Sequence, residues 1–257
     1  MHMTGPIGIW KQKIPVAGSG SYGSIKRPIT AAQWSGLCGY APDYLWECQE
    51  SSGNLLPTIG TSATLTKNST GQSYQLSVTN WFTKWVGTTL ASAHGWASPS
   101  NLFTLHNTSL FVLVYFCLTN SDGSVRSMVN LRSGDDLNIR ARNSNPGIQM
   151  VINGSAANTA SVYENATPTP HAMAFIYDRS TSLWRTRSDL QQGTGTYAAM
   201  ANASRTFGIG QMGAEQNAAG ARYNLIVAWK GANAEAMTAR GGAGLGGTQL
   251  LTDLGWI

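Results

Sequence analysis

Twelve acidic side chains are a small supply for a chain of 257 residues, and their spacing decides much of the chemistry open to it. A retaining glycosidase needs two carboxyl groups about 5 Å apart. Alternate positions on one strand face are a common way to supply them. The close acidic sets here are Glu47/Glu50 and Asp135-Asp136. Neither forms a Glu-x-Asp alternation, and Asp135-Asp136 follows Ser133-Gly134 as part of a turn. The four histidines, His2, His94, His106 and His171, stand outside metal-ligand spacing from one another and from any cysteine. No Gly-x-Ser-x-Gly elbow and no phosphate loop occur. The run Gly241-Gly242-Ala243-Gly244 lacks the lysine that a phosphate loop requires. Hard cations ask for six or more oxygens. In an acid-poor chain, Asp122, Asp135 and Asp136 read as turn residues instead. These residues lead to the expectation of a chain that is not an enzyme, with no catalytic residues, no metal and no cofactor.

Side chains suited to binding are more plentiful. Trp81, Trp85 and Trp96 fall within 16 residues, together with Phe82. The stretch Asn80-Trp81-Phe82-Thr83-Lys84-Trp85 can present flat rings to a sugar face, and core or interface packing is the competing use. Arg140/Arg142 and Arg185/Arg187 stand at i, i+2, which places each pair on one face of a strand. The first forty residues carry four basic residues and no acidic one. With Trp10, Lys11, Lys13, Lys26 and Arg27, they read as an apolar-anchored cationic arm suited to docking on an acidic partner surface. Three cysteines, Cys38, Cys48 and Cys117, form neither a disulfide framework nor a zinc spacing. Cys117 sits in the apolar run 110–118 as a core thiol, whereas Cys38 and Cys48 either pair or stay reduced.

Elements must position these groups, and the composition says which kind. Charged residues make up 11% of the chain, against about 25% in ordinary soluble domains. Glycine, serine, threonine and asparagine fill the gap, as in extracellular β-proteins and in subunits that bury surface in an assembly. So few charges favour an oligomer or a lattice-bound subunit over a free monomer. The net charge of +5 is dispersed, which argues against direct nucleic-acid binding. No run of about 18 apolar residues marks a membrane span. Met1-His2-Met3-Thr4 does not open a signal peptide.

Residues 1–40 contain the breakers Gly5-Pro6, Gly18-Ser19-Gly20-Ser21 and Arg27-Pro28, and they read as an extended arm. From residue 43 onward, short apolar runs alternate with turns. Tyr44-Leu45-Trp46 precedes the turn Ser51-Ser52-Gly53-Asn54. Leu110–Leu118 is apolar throughout, as a strand buried on both faces must be. Leu137–Arg142 alternates, and Ile148–Ile152 runs into the hairpin signal Asn153-Gly154. Met173–Tyr177 and Leu183–Arg187 flank a polar turn. Phe207/Ile209 and Tyr223/Leu225/Val227/Trp229 alternate in turn. A short helix over 233–240, capped by Asn233 and ended by Gly241, leads to a Gly-rich linker and an apolar tail over 241–257.

The order of these pieces resembles the laminin-G-like, concanavalin-type jelly-roll family over residues 43–240. The Trp-bearing strand Tyr44-Leu45-Trp46, the strand Thr64-Leu65-Thr66, the apolar strand Phe111–Leu118, the hairpin Phe175–Thr181, Gly208-Ile209-Gly210 and the last strand Leu225–Trp229 carry the resemblance. The strand after the hairpin ends at Asp189-Leu190, where family members usually have Asp-Gly. The resemblance implies an all-β, two-sheet antiparallel jelly-roll sandwich over 41–240 with one short C-terminal helix, and the residues ahead of it add the N-terminal extended arm. Two functions suit it. One is a structural subunit of a phage virion, docked through its arm onto capsid or tail proteins. The other is a lectin-like module for extracellular glycans, carried by Trp81 and Trp85 or by Arg140 and Arg142.

Overall fold

The computed structural model describes residues 9–10, 25–26, 30–68, 73–75, 85–88, 95–99, 102–104, 109–120, 126–132, 137–142, 147–152, 155–159, 170–188, 191–196, 204–210, 220–240 and 254. β1 (Ile9–Trp10) and β2 (Ile25–Lys26) precede α1 (Ala31–Cys38). Seven short strands follow: β3 (Tyr44–Trp46), β4 (Pro57–Ile59), β5 (Thr66–Lys67), β6 (Ser73–Gln75), β7 (Trp85–Thr88), β8 (Gly95–Ala97) and β9 (Phe103–Thr104). Longer ones come next: β10 (Leu110–Asn120), β11 (Arg126–Arg132), β12 (Leu137–Arg142), β13 (Gly147–Ile152) and β14 (Ser155–Thr159). The chain goes on through β15 (Pro170–Asp178), β16 (Leu183–Ser188), β17 (Gln191–Thr196), β18 (Ser204–Gly210) and β19 (Gly220–Lys230), and then enters α2 (Gly231–Arg240).

Two antiparallel sheets result, as the all-β reading anticipates. The larger has the order β17-β16-β15-β10-β19-β3-β4, with β7 also on β19 and β6 on β7. The smaller runs β14-β13-β12-β11-β18-β8-β5, with β9 on β18. β1 and β2 pair with each other as a separate ribbon.

The larger sheet is covered on both faces, which explains its nearly continuous apolar strands. On β10, Leu110, Val112, Val114 and Phe116 enter the core between the sheets with Met173, Phe175, Tyr177, Ile226 and Ala228. The smaller sheet supplies Trp96, Val129, Leu131, Phe207 and Ile209 to that core. Leu113 points the other way and joins Ala174, Ile176, Leu225, Val227 and Trp229 in a second core. That second core is roofed by Trp34 and Cys38 of α1, Ala234 and Met237 of α2, and Leu254. A bulge separates the pairs Tyr115↔Leu225 and Phe116↔Tyr223. The extra residue, Asn224, shifts the alternation, so Tyr223 enters the inter-sheet core while Leu225 faces the helices.

Helix α1 corrects the expectation of an extended arm up to residue 40 and of a single helix. Thr30 and Gln33 form a capping box: Thr30 Oγ1 accepts from Gln33 N at 3.2 Å, and Gln33 Oε1 accepts from Thr30 N at 3.1 Å. Gly39, at φ 83°, closes the helix, and its N–H donates to Ser35 O at 2.8 Å. Trp34 and Cys38, one turn apart, are buried on the sheet. The breaker glycines and prolines of the arm obscured a helix whose caps were present in the sequence. α2 begins at Gly231, two residues before the expected cap Asn233.

Candidate functional site

A polar convergence lies at one end of the larger sheet. Lys230 ends β19 opposite Leu110, which begins β10 and lies opposite Tyr177 of β15. Asp43, Tyr44, Ser109, Asp178, Arg179, Lys230 and Glu235 gather there. Asp43, just ahead of β3, ties this end of the strand to β19. Its N–H donates to Ala228 O at 3.0 Å, and its Oδ2 accepts from Lys230 N at 2.8 Å. Lys230 Nζ donates to the Tyr44 hydroxyl at 2.8 Å and sits 5.0 Å from the centre of the Tyr44 ring. Tyr44 stacks on Trp46 at 5.7 Å and meets Phe103 edge-on at 5.4 Å. Gly60, at φ +94°, presses on the ring from outside, where any Cβ would run into Tyr44 and lie 2.6 Å from Asp43 O.

Alongside, Ser109 is fully enclosed in hydrogen bonds. Its Oγ donates to Glu235 Oε1 at 2.7 Å and accepts from Arg179 N at 2.9 Å, while its carbonyl accepts from Gly231 N at 2.8 Å. Asp178 closes the β15–β16 turn: its Oδ1 accepts from Ser180 N at 2.9 Å and Ser180 Oγ at 2.6 Å. Burial pushes its carboxyl up, but the hydrogen bonds from Ser180 and Thr181 outweigh that and hold it below the usual carboxylate range. Deeper in, burial pushes the Tyr223 phenol well above its ordinary value, and its hydroxyl donates to Met128 O at 3.1 Å.

The residues chosen from sequence are spread over the molecule. Trp81 lies outside the described residues. Trp85 opens β7 opposite Gln75 of β6, in the larger sheet. Arg140 and Arg142 occupy alternate positions of β12 in the smaller sheet, opposite Gln149 and Gly147 of β13. The alternating residues Leu137 and Ile139 pair with the buried Leu131 and Val129. Trp85 and the two arginines therefore belong to different sheets. Trp10 pairs with Ile25 and Lys26 with Ile9 in the separate ribbon. Lys11, Lys13 and Arg27 lie outside the described residues, as do Asp122, Asp135, Asp136, His2, His94 and His106.

Glu47 and Glu50 are engaged by their own loop. Glu47 accepts from Thr58 Oγ1 at 2.8 Å and Gln49 Nε2 at 2.9 Å, and Glu50 accepts from Leu56 N at 2.7 Å. Two buried indoles tie the same region down: Trp46 Nε1 donates to Ala63 O at 2.8 Å and Trp96 Nε1 to Gly53 O at 3.1 Å. Trp96, grouped with Trp81 and Trp85 by sequence, is thus a core residue. Cys38 and Cys48 are both buried thiols with no disulfide between them: Cys38 Sγ donates to Trp34 O at 3.0 Å and Cys48 Sγ to Trp46 O at 3.8 Å. The Asp43–Tyr44–Lys230 arrangement escaped sequence reasoning because Lys230 stands 186 residues from Tyr44. Only the β3–β19 pairing unites them.

No protein-family model matches the chain. No curated protein matches it in sequence. Solved structures do share its fold. A Trypanosoma rangeli sialidase in complex with 2,3-difluorosialic acid aligns at a TM-score of 0.57 and 8% identity, covering 88% of this chain and 35% of that one. A Trypanosoma rangeli sialidase in complex with sialic acid aligns at 0.54 and 8% identity, covering 77% and 32%. The botulinum neurotoxin type G receptor binding domain aligns at 0.53 and 8% identity, covering 77% of this chain and 50% of that one. The chain spans about a third of the length of these sialidases and half that of the neurotoxin domain. At such identities the likeness concerns fold alone. It overturns one expectation all the same. Because structures of this fold include sialidases, the missing acidic alternation does not support the statement that the chain is not an enzyme. The likenesses lend the virion reading no support. Among the described residues, no helix is long and apolar enough to cross a membrane. The chain is an all-β, two-sheet antiparallel sandwich that shares its fold with sialidases and with a neurotoxin receptor binding domain.

Proposed function

We propose that the chain is a carbohydrate-binding, lectin-like sandwich for cell-surface or extracellular glycans, of the laminin-G-like kind. The observation that carries this is the shared two-sheet fold, which recurs in a sialidase solved with sialic acid and in a receptor binding domain. The composition is consistent with it: an acid-poor, hydroxyl- and amide-rich surface offers hydrogen bonds without strong charge. Trp81 and Trp85 supply rings for stacking on a sugar face. Arg140 and Arg142 supply forked donors at alternate positions of β12. Because Trp85 and the arginines stand in different sheets, each group is a separate contact region.

A glycan array followed by calorimetry on the hits tests the reading. Binding in the millimolar range or tighter is expected. Trp85→Ala should weaken it about tenfold or more if the rings carry the contact, and an Arg140→Ala/Arg142→Ala double variant should do so if the forks do. An array with no binding at millimolar sugar overturns the reading.

A further inference from the structure

The geometry points to a further ligand contact at the end of the larger sheet: Lys230 and Tyr44 form a two-donor seat for the carboxylate of an acidic saccharide. The inference deepens the glycan-binding reading and rests on it for the sugar, though not for the carboxylate. Lys230 is half-buried and Tyr44 is 8% exposed, and the ammonium donates to the Tyr44 hydroxyl 2.8 Å away. No carboxylate among the described residues lies within ion-pair reach of it. Asp43 is close in sequence to Tyr44, but its Oδ2 is taken by the Lys230 backbone N–H.

Each group keeps a donor to offer. An ammonium carries three N–H donors, and Tyr44 uses one. Because the phenol oxygen accepts from Lys230, its own O–H remains to donate. Two adjacent donors of this kind match the two oxygens of a carboxylate through charge-assisted hydrogen bonds. The seat is also held in place before any ligand arrives. The Tyr44 ring is fixed by Trp46, Phe103 and Gly60, and the ammonium is held against that ring at 5.0 Å. Little side-chain freedom is left to lose on binding.

The test titrates full-length protein by calorimetry with methyl glucuronide, methyl glucoside and acetate, using wild type, Lys230→Met, Lys230→Arg and Tyr44→Phe. Wild type is expected to prefer the glucuronide over the glucoside by about tenfold. Lys230→Met should abolish the preference, Tyr44→Phe should reduce it, and Lys230→Arg should keep part of it. Tyr44→Phe preserves the packed ring, so it reports on the seat even if Lys230→Met unfolds. Equal affinity for the two sugars, or a preference that survives in Lys230→Met, overturns the seat while leaving the glycan reading intact. Acetate binding that Lys230→Met removes, with neither sugar bound, supports the carboxylate seat and overturns its assignment to a glucuronide-type saccharide. No binding of any of the three overturns the seat, and the glycan array decides the broader reading.

Discussion

At the scale of single residues, two positions combine backbone or packing constraint with a clear test. Gly60 adopts φ +94° against the Tyr44 ring, so Gly60→Ala meets both left-handed strain and a collision with Asp43 O. Such strain costs about 1–3 kcal/mol. Denaturant unfolding of Gly60→Ala should show a loss at or above that range, with the slope unchanged. Asp178 makes a pH prediction. Its carboxyl is lowered in the folded chain by Ser180 and Thr181, which outweigh the opposing effect of burial. The unfolded chain therefore takes up that proton at a higher pH than the folded one. The stability it contributes is complete above the ordinary aspartate value of about 3.9 and is lost as pH falls through the lower folded value. Asp178→Asn should flatten this part of the stability curve, below the ordinary aspartate value, as read from melting temperatures. Residue types alone hinted at the Asp178 turn, since Asp-Arg-Ser-Thr is turn chemistry. They gave no hint of Lys230 over Tyr44, because that contact depends on a pairing across nearly the whole chain.

Among elements, legibility followed local pattern. The apolar run of β10 and the alternation of β12, β18 and β19 were readable because burial on two faces or on one leaves a distinct period. The short strands β4 to β9 carry two to four residues each, too few for a period to show. α1 was missed for another reason: its surroundings are rich in breakers, and its content Ala-Ala-Gln-Trp-Ser-Gly-Leu-Cys is weakly amphipathic. Its caps, the Thr30–Gln33 box and Gly39, were its local signals. Thr30→Ala is accordingly expected to cost about 1 kcal/mol, and Thr30→Ser to cost much less, by chemical unfolding. On β17, Gly195 lies directly opposite Trp184, whose indole covers it. A Cβ at Gly195 would sit 2.6 Å from that ring. Gly195→Ala should therefore force the half-buried Trp184 outward, destabilise the sandwich by about 1–3 kcal/mol and shift its tryptophan emission to the red.

For the whole molecule, the two cores set where the chain can be cut. α1 and β3 roof or pair the central β19, and Trp229 Nε1 donates to Tyr40 O at 3.2 Å. The ribbon β1–β2 pairs only with itself among the described residues. Removing residues 1–29 should therefore leave the melting temperature nearly unchanged, whereas removing 1–40 should lower it by more than about 10 °C, since it strips Trp34 from the second core. Equal melting temperatures for the two truncations would contradict this account of α1. Sequence legibility at this scale was mixed. The all-β sandwich was readable, because a regular series of short strands and turns admits few other architectures. The boundary between arm and sandwich was not, because what moves residues 30–40 into the body is Trp34 meeting Trp229 across almost two hundred residues.

That meeting has an optical side. The Trp34 and Trp229 rings lie 5.4 Å apart at 81°. Indoles held so close couple their electronic excitations, and a paired positive and negative band in circular dichroism is the expected outcome for this pair. The band reports a single event, the seating of α1 on its sheet. The stacked pair Trp46 and Phe207, at 11°, lies between the two sheets and reports on the other core. A thermal melt followed in the exciton band would thus time the seating of α1 on its sheet, without any added label.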